Sequence, residues 1–255
     1  MTTILCALAI AAGLQEKVTL RYQPKEGDSV TLNATVTMNL KVKTDGGEQE
    51  FQAVNNRLAT VEIGAVADGR PTRKTVEYLS DTDEQTAGGR TERRENPLHG
   101  KRVTGARKDG KWTFACEEKL DEETLRKAGD DEKFTQLLPG REVAVGESWT
   151  LSGDKLSDAW AASGGLEGEM KMTLKDLKEI DGKRCATIAM KWDVKSPKAP
   201  DGTQHLLKVD GEIIATLDRG HISIVGRGPM TIRRGEAEVA TGTVSYMLVQ
   251  ALQEK

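Results

Sequence analysis

Seven apolar residues in strict alternation, Val30, Leu32, Ala34, Val36, Met38, Leu40 and Val42, constrain this chain more than any other feature. Between them stand Thr31, Asn33, Thr35, Thr37, Asn39 and Lys41. A period of two puts the apolar set on one side of a β-strand and the polar set on the other, and it matches no helical stripe. At about 3.3 Å per residue the run reaches roughly 43 Å, well beyond a typical strand of five or six residues. A strand this long has to bend or belong to a large curved sheet.

The rest of the chain repeats the pattern. Phe51 to Ala65 continues as a strand with an irregularity near Asn55-Asn56, and Val76 to Leu79 starts another after the Asp68-Gly69-Arg70-Pro71 turn. Arg102 to Ala106 and Lys111 to Cys116 bracket Lys108-Asp109-Gly110, a hairpin signal. Met170, Met172 and Leu174 alternate, as do Ile188, Met190, Trp192 and Val194 across the Asp181-Gly182-Lys183 turn. Leu207 to Leu217, Ile222 to Ile224 ahead of a Gly226–Pro229 break, and Val239 to Val249 complete the set. Ser80 to Gly100 has almost no large apolar side chain and contains Gly88-Gly89 and Asn96-Pro97, so it reads as an exposed loop. Glu117 to Leu138 reads as two short helices parted at Gly129, with Asp130 or Asp131 capping the second and Pro139-Gly140 stopping them. These signals predict an all-β, mainly antiparallel protein of about nine to eleven strands. It would form a large curved sheet or half-barrel with a short helical insertion near 117–138.

The N-terminus points to a compartment. Ile4 to Ala12 is an unbroken apolar stretch, too short to span a bilayer, followed by Gly13. It fits the apolar region of a signal peptide over residues 1–13, with cleavage near Gly13–Leu14 and export of the remainder, although only the α-amino group supplies positive charge. No other apolar run is long enough to be a transmembrane segment. Residues 14–255 read as a single β-rich domain. Gly27-Asp28-Ser29-Val30-Thr31-Leu32 resembles Gly146-Glu147-Ser148-Trp149-Thr150-Leu151, which raises a second arrangement: two related halves, 14–80 and 139–255, joined by a charged loop and helical segment 80–138. Ordinary turn chemistry produces the same match. Cys116 and Cys185 are an even pair that would form a disulfide in an oxidising compartment. Nothing in the sequence brings the two positions together, which favours two separate thiols.

The segment Leu138-Pro139-Gly140-Arg141-Glu142-Val143-Ala144-Val145-Gly146-Glu147-Ser148-Trp149 resembles a pattern in uncharacterised exported bacterial β-rich proteins, in which Leu-Pro precedes a Val-Gly-Asp/Glu-Ser-Trp strand start. The Tyr22-x-Pro-x-x-Gly27-Asp28 segment is similar to their first strand start. That resemblance covers about a tenth of the chain, implies export and a mostly β fold, and brings no activity with it. A looser architectural likeness is to periplasmic lipoprotein carriers built as half-barrels.

Chemical motifs are missing. His99, His205 and His221 have no partners at metal-ligand spacing, and there is no zinc, calcium, nucleotide or nucleophile-elbow motif, so no cofactor is implied. Glu167 and Glu169 flank Gly168 and would share one strand face, but acid–base work needs two environments that part their pKa values. The chain reads as a non-enzyme. With 37 Lys+Arg against 40 Asp+Glu it lacks the basic balance of a nucleic-acid binder. Arg90, Arg93, Arg94, Lys101 and Arg102 crowd one segment and would suit an anionic surface, while Glu117, Glu118, Asp121, Glu122 and Glu123 follow closely enough to neutralise them.

The long strand motivates a non-enzymatic exported binding protein that holds a hydrophobic small molecule or lipid on the apolar face of its sheet. Leu32, Val36, Met38, Leu40, Met172, Leu174, Ile188, Met190 and Trp192 are the lining candidates. The same side chains suit a plain core. The alternative is therefore a structural or interaction protein of the cell envelope, with a fully packed β core and no ligand site.

Overall fold

A computed structural model describes residues 16–128, 130–159 and 165–253. The apolar stretch Ile4–Ala12 and the cleavage position near Gly13–Leu14 lie outside those residues. Along the chain run β1 (Lys17–Leu20), β2 (Ser29–Thr44), β3 (Gly47–Ala67), β4 (Arg70–Ala87), β5 (Arg90–Glu95), β6 (Arg102–Lys108) and β7 (Lys111–Cys116). Then come α1 (Glu122–Lys127), a 3-10 helix (Asp130–Leu137), β8 (Arg141–Ala144), β9 (Ser148–Ser152) and α2 (Gly153–Ala159). The chain ends with β10 (Glu167–Ile180), β11 (Lys183–Lys195), β12 (Thr203–Thr216), β13 (Ile222–Arg234) and β14 (Ala237–Leu252).

Twelve strands make one antiparallel sheet in the order β7-β6-β4-β3-β2-β14-β13-β12-β11-β10-β9, with β5 beside β4, and β1 pairs separately with β8. The order has two ends, so the sheet does not close into a barrel. Irregular register at Leu58/Ala59, Ile63/Ala65, Leu174/Asp176 and Ile232/Arg233 bends the long strands. The predicted irregularity on β3 thus falls at Leu58/Ala59 rather than at Asn55-Asn56. Three hairpins turn on Asp68-Gly69, Asp109-Gly110 and Asp181-Gly182, where both residues have positive φ. That is the tight turn whose twist matches its strands.

Two expectations need correction. Ser80 to Gly100 is not a loop: β4 runs to Ala87 and β5 returns alongside it around Gly88-Gly89. A strand needs paired backbone more than apolar side chains, and here Asn55 and Arg57 of β3 reach across to Asp83 and Asp81 of β4. Gly226 to Pro229 does not break β13 either. The β12–β13 pairing lapses only between Leu207↔Met230 and Asp210↔Arg227, where proline's missing N–H is not needed. There a Cβ on Gly228 would run into the Lys208 carbonyl. Of the two readings of the cysteines, the disulfide alternative does not hold: Cys116 and Cys185 are both free thiols, on strands eight places apart in the sheet order. Burial pushes the Cys185 thiol up.

The two similar strand starts share one local design. Gly27 and Gly146 have φ of 82° and 88°. Asp28 accepts the Lys25 N–H at 2.7 Å, and Glu147 accepts the Ala144 N–H at 3.1 Å. In each, the glycine N–H donates to a neighbouring strand (Ile63 or Leu174), and that residue's N–H returns to the acidic residue's carbonyl.

Apolar burial forms two cores on the same sheet face. In the first, Leu174, Ile188, Ile213, Ile224 and Leu248 line up across β10 to β14. Val18, Leu20 and Val143 of the β1–β8 ribbon, Leu137 and Leu138 at the 3-10 helix, and Leu156 of α2 cover it. Trp149 Nε1 donates to the Leu137 carbonyl at 2.9 Å and fixes that cover. The second core gathers Ala59, Val61, Ile63, Val76, Tyr78 and Val103 under Leu98, Leu120, Leu125 and Ala128. Asp121 caps α1 by accepting the Thr124 N–H at 2.8 Å.

Candidate functional site

Midway along β2 the alternation holds in direction but not in burial. Leu32 and Leu40 are buried, Ala34 and Met38 are half-buried, and Val36 between them is 36% exposed. Cross-strand partners share a face, so the register names its neighbours. On one side Val36 meets Tyr246 of β14. On the other it meets Asn55 of β3, which leads to Asp83 of β4 and Arg94 of β5. One row along, Ala34 leads to Arg57 and Asp81.

The apolar side of this strip is rigid. Tyr246 stacks on Trp192 with ring centroids 4.8 Å apart, and its hydroxyl donates to Met190 Sδ at 3.4 Å. Its ring lies over Gly226, where a Cβ would stand 2.7 Å from it. Burial pushes the phenol well above its ordinary value. The polar side is a hydrogen-bonded ladder. Asn55 Nδ2 donates to Asp83 Oδ1 at 2.7 Å, and Arg57 pairs with Asp81 at 3.1 Å. Asp81 is 1% exposed and also accepts from Asn96 Nδ2 at 3.1 Å. A groove of about 390 Å³ lined by Asp83, Gln85, Glu92, Arg93 and Arg94 adjoins the polar end. The strip is therefore a boundary, with aliphatic and aromatic surface meeting a charged, hydrogen-bonding edge.

The nine lining candidates divide here. Val36 sits exposed on the strip, and half-buried Met38 beside it also packs against the first core. Leu32, Leu40, Met172, Leu174, Ile188, Met190 and Trp192 are instead packed into the first core. Periodicity shows which face is apolar, and the elements that cover it are set by tertiary packing. Asn55, Asp83 and Tyr246 are absent from the sequence-derived candidates, and Arg94 stands there only in the basic group. A signal for the first existed: Asn55 and Arg57 interrupt the apolar phase Phe51, Ala53, Ala59, Val61 and Ile63.

The other charged candidates differ in their surroundings. Lys101 pairs with Glu118 and Arg102 with Glu62, while Arg90, Arg93 and Arg94 lie on β5. Glu167 pairs with Lys195 at 2.7 Å, which holds its carboxyl below the usual range, and Glu169 lies exposed on the same strand. His99 Nδ1 accepts the Asp81 N–H at 3.2 Å, and the His205 N–H donates to Ser196 Oγ at 3.0 Å. Among the described residues, no group of three or more His, Cys, Asp or Glu could hold a metal ion. No helix among them is long and apolar enough to cross a membrane.

The arrangement defines an all-β protein with one large, open antiparallel sheet. No protein-family pattern and no curated protein matches the sequence. Two solved structures are similar at low levels. DynF from the dynemicin biosynthesis pathway of Micromonospora chersina has 9% identity and a TM-score of 0.26, over 94% of this chain and 86% of that chain. A Bacteroides fragilis protein described as exported, with a YmcC-like fold, has 10% identity and a TM-score of 0.25, over 92% of this chain and 100% of that one. Neither level of similarity assigns this chain to a family.

Proposed function

We propose that the chain is a non-enzymatic exported binding protein whose site is the strip at the middle of β2. Its ligand is a chain amphiphile: hydrocarbon lies over Ala34, Val36 and Met38 against Tyr246, and a hydrogen-bonding head faces Asn55, Asp83 and Arg94. The observation that carries this reading is the lapse in burial at Val36, midway between buried Leu32 and Leu40 on one strand. Apolar surface exposed beside ordered polar groups is the usual make-up of a binding site. Export is supported by the Ile4–Ala12 stretch and by the resemblance carried by Leu138–Trp149.

The test is titration with dansylundecanoic acid, alongside native mass spectrometry of protein purified from its own host. Saturable binding by the wild type, lost in Val36→Asp at unchanged stability, is expected. Bare protein in every preparation together with no saturable binding overturns the reading. It would leave the second one, an interaction protein with a packed core, which the burial of seven lining candidates favours.

A further inference from the structure

The segment between β1 and β2 is seated on the β12–β13 turn around a buried imidazole. His221 is 4% exposed, its Nε2 has no hydrogen-bond partner, and its ring stands 6.0 Å from that of Tyr22. The backbone around it is tightly held. The Gln23 N–H donates to the Arg219 carbonyl at 2.7 Å, and the Thr216 N–H donates to the His221 carbonyl at 2.9 Å. The His221 N–H donates to Thr216 Oγ1 at 3.2 Å, and a Cβ on Gly220 would run into the Arg21 carbonyl. Charged groups face the ring from three elements: Asp28 on the 21–28 segment, Asp218 and Arg219 on the turn, and Lys183 at the start of β11. Asp28 and Arg219 form an ion pair at 3.6 Å, largely out of solvent. From β14, Gln250 Oε1 accepts the Ile222 N–H at 3.3 Å.

We propose that His221 is a proton-operated latch: the neutral ring seats residues 21–28 on the sheet, and through them the β1–β8 ribbon over the first core, while the protonated ring releases that segment. A proton added at Nε2 would place a charged donor where no acceptor stands, with Arg219 and Lys183 nearby. Relief requires water to enter or the ring to turn toward Asp28 or Asp218. Either movement parts Tyr22 and Gln23 from the turn. Burial holds the imidazole below its ordinary value near 6.5, against the pull of Asp28 and Asp218. The seated state therefore takes up the proton less readily than the released one. The latch is at full strength above about pH 6.5 and weakens as pH falls below it.

Hydrogen exchange on the full chain, corrected for intrinsic rates, tests this at about pH 7.5 and about pH 5.5. Wild-type amides of residues 17–23 are expected to lose protection at the lower pH, by more than about twofold and at most about tenfold, with Val76 and Val103 of the second core unchanged. His221→Phe keeps the ring's bulk without its titration and should change less than about twofold. An equal loss in both proteins, no loss in the wild type, or a parallel loss at Val76 and Val103 overturns the latch. If His221→Phe fails to fold, NMR titration of the wild-type ring decides. A midpoint below 6.5 that coincides with lost protection at Gln23 supports the latch. An ordinary midpoint with Gln23 still protected overturns it.

Discussion

The two cores occupy one face of one sheet, yet they are built from different materials. The first is a file of large aliphatic side chains, Leu174, Ile188, Ile213, Ile224 and Leu248, beneath a cover contributed by three separate segments. The second uses smaller residues, Ala59, Val61, Val76 and Val103, and carries Lys74 and Asp81 buried at its margin. Lys74 Nζ lies 4.7 Å from the Trp112 ring centroid, and Arg57 lies 5.4 Å from that of Tyr78. In the first core, burial of apolar area supplies the stability. In the second, much of the order comes from charges that must keep their partners. The strip at Val36 lies where the first kind of packing gives way to the second.

Substitutions should separate the two. The largest loss is expected from Ile213→Ala, about 3 to 4 kcal/mol by denaturant unfolding, because a closed core relaxes little around a cavity. Asp81→Ala should cost about 2 to 3 kcal/mol, since it strands Arg57 and Asn96, with Arg57's partial solvent contact tempering the loss. The double change Arg57→Met with Asp81→Leu should recover most of that loss. A single-site cost at Asp81 as large as at Ile213, unrelieved in the double variant, would break the distinction. Gly105→Ala should cost about 1 to 2 kcal/mol, because the new Cβ would stand 2.6 Å from the Phe114 ring.

Smaller effects sharpen the picture. Arg141 beside Glu147 and the Ala144 N–H hold the Glu147 carboxyl below its usual range. The contribution of that strand start is therefore present above about pH 4.3 and lost as pH falls beneath it. Glu147→Gln should flatten that part of the acid-unfolding profile. Smallest of all, Val36→Ala should change stability by less than about 0.5 kcal/mol while weakening probe binding.

Much of this plan was legible from residue order. The alternation from Val30 to Val42 gave the face of β2, and the Asp-Gly pairs gave three hairpins, because both signals are local. The second half of β4 and all of β5 read as loop because Asp81, Asp83, Glu84, Arg93 and Arg94 look solvated in sequence. The partners of Asp83 and Asp81, Asn55 and Arg57, stand more than 20 positions away. The covering of Met172, Met190 and Trp192 was equally hidden, since Leu20, Leu137 and Leu156 come from segments whose docking no periodicity encodes. Val36 could not be told from Leu32 by pattern. Only the placement of the cover distinguishes them.

The most direct test is therefore to measure access along β2. Cys6, Cys116 and Cys185 would be replaced by alanine, cysteine introduced singly at Leu32, Val36 and Leu40, and labelling by a maleimide followed under native conditions. Val36→Cys should react at least about tenfold faster than the other two, whose labelling should wait on opening of the core. Equal rates at all three positions, or Leu32→Cys reacting as fast as Val36→Cys, would contradict an uncovered strip between two buried positions of β2.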